Sequence, residues 1–155
     1  MTEGTSARER FEEARYKPEC YREYQNEKIR VTWEADLCIH YGACTRFLPA
    51  VFRPAERPWV DVDAATADEL ADIVRRCPTG ALHYERLDGE KQEQPEDPMV
   101  VCVQKGGPLF LRGEIHMKDH RGNTIRDDTR VALCRCGRSN NKPFCDGTHD
   151  TFLFR

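Results

Sequence analysis

Apolar positions fall into short runs with two different periods. Residues 6–16, SARERFEEARY, predict a short helix, with Ser6 and Glu9 spaced as a capping box. KIRVTW (28–33) alternates and is rich in β-formers, which predicts a strand. TRFLPAVF (45–52) predicts a helical turn interrupted at Pro49. PWVDVD (58–63) predicts a second strand. TADELADIVRRC (66–77) places Leu70, Ile73 and Val74 on one helical face, with Thr66 as N-cap and Arg75 and Arg76 at the C-terminal end. ALHYERL (81–87) alternates again and predicts a third strand.

The pattern then breaks. DGEKQEQPEDP (88–98) has no large apolar residue and two prolines, and reads as an interdomain linker. Beyond it, MVVCVQ, LFLRGEIHM and TRVALCRC predict short strands, the first two joined by a Gly-rich KGGP hairpin. No internal repeat is found. The expected organisation is a helical extension at 1–28, a first domain at 29–87, a linker at 88–98 and a second domain at 99–155.

Composition narrows the setting. With 155 residues, two such domains each have a thin core, and bound metal often supplies the missing stability at that size. The charged N-terminus shows no signal peptide, and no run approaches the ~20 apolar residues of a membrane span. A reducing, cytoplasmic location is therefore expected, where eight clustered cysteines bind metal or do redox chemistry more often than they form disulfides. Cys102, inside MVVCVQ, is expected to be a buried inert thiol, and Cys20 a surface one.

Charge divides unevenly. Residues 1–98 carry 14 Lys+Arg against 21 Asp+Glu, and residues 99–155 carry 10 against 6. The basic second part suits an anion, an acidic protein or the chain's own acidic first part. No basic run is long enough to suggest nucleic acid.

The densest chemistry is CRCGRSNNKPFCDGTH. Cys134, Cys136, Cys145 and His149 are spaced C-x-C-x8-C-x3-H. Cys145 and His149 share a face if PFCDGTHD begins a helix, and Cys134 and Cys136 point the same way at a strand end. Two pairs can thus converge. A zinc ion accepts a tetrahedral Cys3His set, but the single-residue gap of the first pair is tight for one ion. A [2Fe-2S] cluster places each pair on its own iron.

This stretch resembles the CDGSH iron–sulfur domain of the mitoNEET type. The pattern C-x-C-x2-[ST]-x3-P-x-C-D-G-[STA]-H is matched throughout, with Ser139, Pro143, Asp146, Gly147 and Thr148 in the intervening places. The resemblance implies a [2Fe-2S] cluster with Cys134 and Cys136 on one iron and Cys145 and His149 on the other. It also implies a family that moves electrons or whole clusters, often as homodimers. A neutral imidazole in place of a thiolate removes negative charge and raises the potential. Protonation of His149 off the iron would release that corner.

CIHYGAC gives Cys38-x5-Cys44, and RRCPTGAL supplies Cys77 followed by Pro78. A Cys-Pro pair 33 residues after a cysteine loop resembles a single-cluster bacterial ferredoxin. More closely, residues 29–87 resemble a divergent single-cluster ferredoxin family often fused to CDGSH domains, through CIHYGACTRFLPAVF, RPWV and CPTGAL. Where a four-cysteine ferredoxin has a cysteine, this chain has Tyr41, read as a packing residue. Three thiolates suit a [3Fe-4S] cluster, or a [4Fe-4S] cluster whose fourth iron takes His40 or an external ligand.

His83, His116 and His120 are scattered and read as surface or ordinary hydrogen-bonded residues. Trp33 and Trp59 read as core filling, and Arg135 and Lys142 as exposed cations. No nucleophile elbow, phosphate loop or acid/base carboxylate pair is present, so no enzyme is expected. The expected fold class is α+β, a ferredoxin-like domain followed by a small β-rich CDGSH domain. The expected function is one-electron transfer with a protein redox partner: a reductase, an oxygenase or a cluster acceptor. The alternatives are a cluster carrier or redox/iron sensor, and a structural zinc module.

Overall fold

The fold, obtained as a computed structural model, is described for residues 20–155. The helix expected at 6–16 lies outside the described residues. Two three-stranded antiparallel sheets follow one another along the chain, joined by few helices. The architecture is α+β and strand-rich, with the two units in the expected order.

The first sheet has the order β1 (Tyr21–Gln25), β2 (Ile29–Glu34) and β3 (Leu82–Arg86). Residues 21–25 thus form an edge strand rather than part of a helical extension. β1 was hidden because YREYQ has only tyrosines as large residues, and its edge position leaves it half exposed. On β2, Ile29 and Val31 point to one face and meet Leu70, Ile73 and Val74 of helix α2 (Ala67–Val74) in the first core. Thr66 caps α2 as expected. Its hydroxyl accepts from the Glu69 N–H at 3.2 Å, and the Glu69 carboxylate accepts from the Thr66 N–H at 2.9 Å.

The expected strand at 58–63 is reduced to one bridge, Phe52 to Val60. Val60 and Val62 are buried, but Asp61 turns to Arg53 at 2.8 Å, and among the described residues no neighbouring strand extends the pairing. Before it, the predicted helical turn begins two residues earlier, as helix α1 (Ala43–Phe47).

The second sheet has the order β4 (Val100–Val103), β5 (Leu109–Lys118) and β6 (Thr124–Leu133). The hairpin between β4 and β5 forms at Gly106–Gly107 as expected. Every residue of β4 is exposed, Cys102 included, so the buried-thiol expectation is corrected. The run is apolar but sits on the sheet edge, uncovered by any described residue.

The two units are not merely tethered. The other face of β2 and β3 carries Thr32, Glu34 and His83, all buried. Period-two alternation alone would place these side chains in solvent. They are instead covered by Arg126, Asp128 and Arg130, which share one face of β6. Arg126 pairs with Glu34 at 3.0 Å and Asp128 with His83 at 3.0 Å. Arg130 donates to the carbonyls of Val74 and Cys77 at 2.6 Å and of Leu82 at 2.7 Å. Glu93, from the segment that reads as a linker, is 7 % exposed and accepts from Arg130 at 2.6 Å. An apolar core beside this network joins Leu37 and Ala81 of the first unit to Ile115, Val131 and Phe144 of the second. Three cations and three carboxylates thus neutralise one another where they are shielded from water, which is the condition for burying charge. His83 is part of that lock rather than a surface residue.

Candidate metal centres

Cys38 follows a 3₁₀ turn at Ala35–Leu37, Cys44 lies in α1, and Cys77 follows the end of α2. All three line one cavity of about 480 Å³. The loop that wraps it needs left-handed backbone twice, at His40 (φ 56°) and Gly42 (φ 84°). Gly42 adopts this freely, and His40 is the only non-glycine residue with positive φ among the described residues.

Burial pushes the Cys38 thiol up, with Cys77 adding to it, against the His40 backbone N–H and the Trp33 indole. Cys44 is pushed up to about 11 by burial and then by Cys77. Three sulfurs therefore influence one another across a space larger than one ion. Among the described residues no three His, Cys, Asp or Glu side chains close on a point suited to a single metal ion. The Trp33 indole N–H is buried on the Cys38 side of the cavity and makes no full hydrogen bond, acting only weakly on the Cys38 sulfur. A sulfur-rich cluster would supply the strong acceptor that this donor lacks, so the residues fit a polynuclear group. His40 lines the same cavity but is exposed, at its rim. Tyr41 does not enter the donor set. Its ring meets Phe110 of the second unit edge-on at 6.1 Å, a packing role.

The second set comes from the loop after β6. Cys134 Sγ and Cys136 Sγ lie 3.8 Å apart, and Cys145 Sγ lies 3.3 Å from His149 Nδ1. All four line one recess with Gly107, Pro108 and Ser139. The pairing arises differently from the expectation. β6 ends at Leu133, so both first cysteines sit in the loop, and only a 3₁₀ turn at Thr148–Thr151 follows Cys145. Gly147, at φ 86°, makes the reversal that returns His149 toward Cys145. Ser139 ties the loop, accepting from the Asn141 N–H at 3.0 Å and donating to the Phe144 carbonyl at 2.6 Å.

Backbone N–H groups aim at the sulfurs: Gly137 at Cys134 (3.3 Å), Arg138 at Cys136 (3.4 Å) and Gly147 at Cys145 (3.4 Å). For Cys134, burial is outweighed by the Ser139 and Gly137 N–H groups, so its thiol is lowered. For Cys145 burial wins and the thiol is raised. Two donor pairs with N–H groups already directed at sulfur fit a binuclear cluster better than one tetrahedral ion.

The two sets are neighbours. Ile39, between Cys38 and His40, packs on Phe110, Ala132 and Cys145. A side-chain carbon on Gly147 would lie 3.9 Å from the Ile39 carbonyl oxygen. Asn141 donates to the Asp36 carbonyl at 3.0 Å. The Cys77 carbonyl is held by Arg130, four residues before Cys134. Ile39 and Arg130 escaped the sequence reading, because neither belongs to a ligand pattern.

Fold and sites together define an iron–sulfur-binding protein of two units. Residues 24–87 match the model of a family described as a divergent 4Fe-4S mono-cluster. Residues 106–150 match the iron-binding zinc finger of CDGSH type. The chain is 34% identical over 64 residues to proteins described as "Uncharacterized protein YjdI" from Escherichia coli K12 and from Escherichia coli O157:H7. Each match spans 41% of this chain and 84% of the relative. The chain belongs to the divergent 4Fe-4S mono-cluster family and carries a CDGSH iron-binding domain after that unit. Among the described residues no helix is long and apolar enough to cross a membrane.

Proposed function

We propose that the chain is a two-cluster carrier of single electrons that exchanges them with a protein redox partner. Cys38, Cys44 and Cys77 hold the first cluster in a ferredoxin-type module. The family description favours four irons over three, with the fourth position left to His40 or an external ligand. Cys134 and Cys136 hold one iron of a [2Fe-2S] cluster, and Cys145 and His149 hold the other. When bound, the clusters supply one-electron chemistry, and the chain supplies ligands, hydrogen bonds to sulfur and low dielectric. No catalytic residue is assigned, and the partner is a reductase, an oxygenase or a cluster acceptor in a reducing compartment.

The observation that carries this reading is Ile39, next to Cys38 in the chain and packed against Cys145 of the second donor set. Electron exchange falls steeply with distance, and this proximity of the donor sets favours exchange between the two centres. Anaerobic reconstitution with iron and sulfide tests it. Electron paramagnetic resonance of the reduced protein should show two centres whose signals broaden one another. One isolated centre removes the relay, and zinc without acid-labile sulfide removes the whole reading.

A second reading, cluster donation, rests on His149. Its side chain is only 11 % exposed, with Asp150 at 3.3 Å from Nε2, and this supports retention over release. The variant H149C separates the two. Retained transfer of [2Fe-2S] to an apo-acceptor at the wild-type rate would remove any role for histidine lability.

A further inference from the structure

Arg135 lines the Cys134–His149 recess, and Lys105, Arg138 and Lys142 lie within three residues of its lining residues along the chain. Lys105, Arg135, Arg138 and Lys142 are all exposed, and none of the four enters an ion pair among the described residues. Two are held in place. Arg135 donates to the Gly107 and Gln104 carbonyls at 3.1 and 3.0 Å and lies 4.7 Å over the Phe154 ring. Arg138 lies 4.1 Å over the Phe152 ring. Leu153, between those rings, is 82 % exposed. The carboxylates of the same loop do not cancel the rim. Asp146 is turned inward to the Asn140 and Thr148 N–H groups at 2.8 and 3.0 Å, and Asp150, exposed beside His149, is one outward carboxylate against four cations.

Unpaired charge fixed on aromatic rings around a redox recess has a physical use. Pre-positioned guanidinium groups lose little conformational freedom when they meet a partner. Arginine and aromatic residues are the types that carry binding energy at interfaces. We infer that this rim is the docking surface for a redox protein with an acidic face, an inference that rests on the electron-transfer reading above. The compact size of the patch favours an acidic protein over a nucleic acid. Residues 1–98 have an excess of seven carboxylates over Lys+Arg. They would repel an extended polyanion, whereas a protein face touching only the rim is screened from them beyond about 10 Å at 0.1 M salt. One electron passes from the reduced chain to the partner's oxidised centre, with no bond made or broken.

The test uses the full chain with both clusters, reduced, mixed in stopped flow with ferric cytochrome b5, an acidic acceptor, or ferric cytochrome c, a basic one. Each haem goes from ferric to ferrous. The rate with cytochrome b5 should be high at low salt and fall about tenfold as salt rises, while cytochrome c shows no such fall. The double variant K105E/K142E, which touches neither phenyl ring, should lower the low-salt rate with cytochrome b5 about tenfold. K91E, exposed on the 88–98 segment, should leave it within about twofold. Equal loss in K91E and K105E/K142E, or a faster low-salt reaction with cytochrome c, would overturn the assignment. So would tighter binding of a single-stranded oligonucleotide than of cytochrome b5 by fluorescence anisotropy. Failure to reduce even ferricyanide would instead sink the electron-transfer reading, leaving salt-sensitive binding of cytochrome b5 to report on the rim by itself.

Discussion

Arg130 is the residue whose removal should do the most damage for its size. It is 3 % exposed and reaches from the second unit into the first. Its guanidinium satisfies the carbonyls of Val74, Cys77 and Leu82 and binds Glu93. Arg130→Met fills a similar volume but supplies no donor. Removing one partner of a buried ion pair costs about 3–5 kcal/mol, because the other charge stays buried. Each orphaned carbonyl adds about 1 kcal/mol where water cannot enter. Partial relaxation makes these non-additive, so a net loss of about 4–6 kcal/mol is expected, against a domain stability of about 5–15 kcal/mol. Urea denaturation followed by circular dichroism gives the loss, and visible absorbance reports whether the proposed centre at Cys77 is retained. Arg130→Lys keeps the charge but not the fork, and should recover about half. In a double-mutant cycle, R130M and E93Q should couple by about 2 kcal/mol or more. A loss under about 1 kcal/mol in R130M, with no coupling to Glu93, would refute the claim that this network joins the units.

The same network sets a pH window. Burial opposes the charge on His83, but Glu93 and Asp128 outweigh it and raise the imidazole to about 9. Its contribution is therefore complete below an unfolded value of about 6.5 and lost as pH rises through about 9. The urea midpoint should fall between pH 7 and pH 10, and H83Q should flatten that limb. Glu93 and Asp128 are held low, chiefly by His83 with Arg130 or Arg126, against their burial. Their contribution is present above the ordinary carboxylate range and lost as pH falls below it. Gly80→Ala should cost about 3 kcal/mol or prevent folding, since a Cβ there would lie 2.3 Å from the Arg130 carbonyl oxygen at φ 75°. Thermal denaturation measures this, and a shift of under 2 °C would contradict it. Cys77→Ser should abolish the first centre and spare the second, and Cys134→Ser the reverse, read by iron and sulfide content and by paramagnetic resonance.

Legibility in the sequence tracked the range of the interactions. The candidate donors Cys134, Cys136, Cys145 and His149 lie within sixteen residues, so their spacing alone pointed to metal chemistry. Helix α2 was readable because its capping box and its apolar face are local. PWVDVD failed because alternation reports an exposed and a buried face, not the presence of a pairing strand. MVVCVQ misplaced Cys102 because an apolar run does not reveal whether it lies at a sheet's centre or its edge. His83 looked ordinary for a different reason. Its partners Glu93 and Asp128 lie ten and forty-five residues away, and only the packed sheets bring them to it.

That long-range burial also explains why the two sites belong to one body. Two small units joined by a free linker would present two clusters at variable separation, and exchange between them would depend on chance encounter. Here Glu93 anchors the connecting segment inside the charge network. Arg130 closes on the Cys77 carbonyl, and Ile39 meets Cys145. The Arg130 and Ile39 contacts each lie within a few residues of a candidate ligand in one set and touch the other unit. The ion network is an expensive way to hold two domains together, because apolar residues of the same volume do so without desolvating charge. What it adds is registry: a misaligned packing of β2 and β3 against β6 would leave several charges buried and unpaired. The separation of the donor sets is therefore fixed by the same residues that fix the fold.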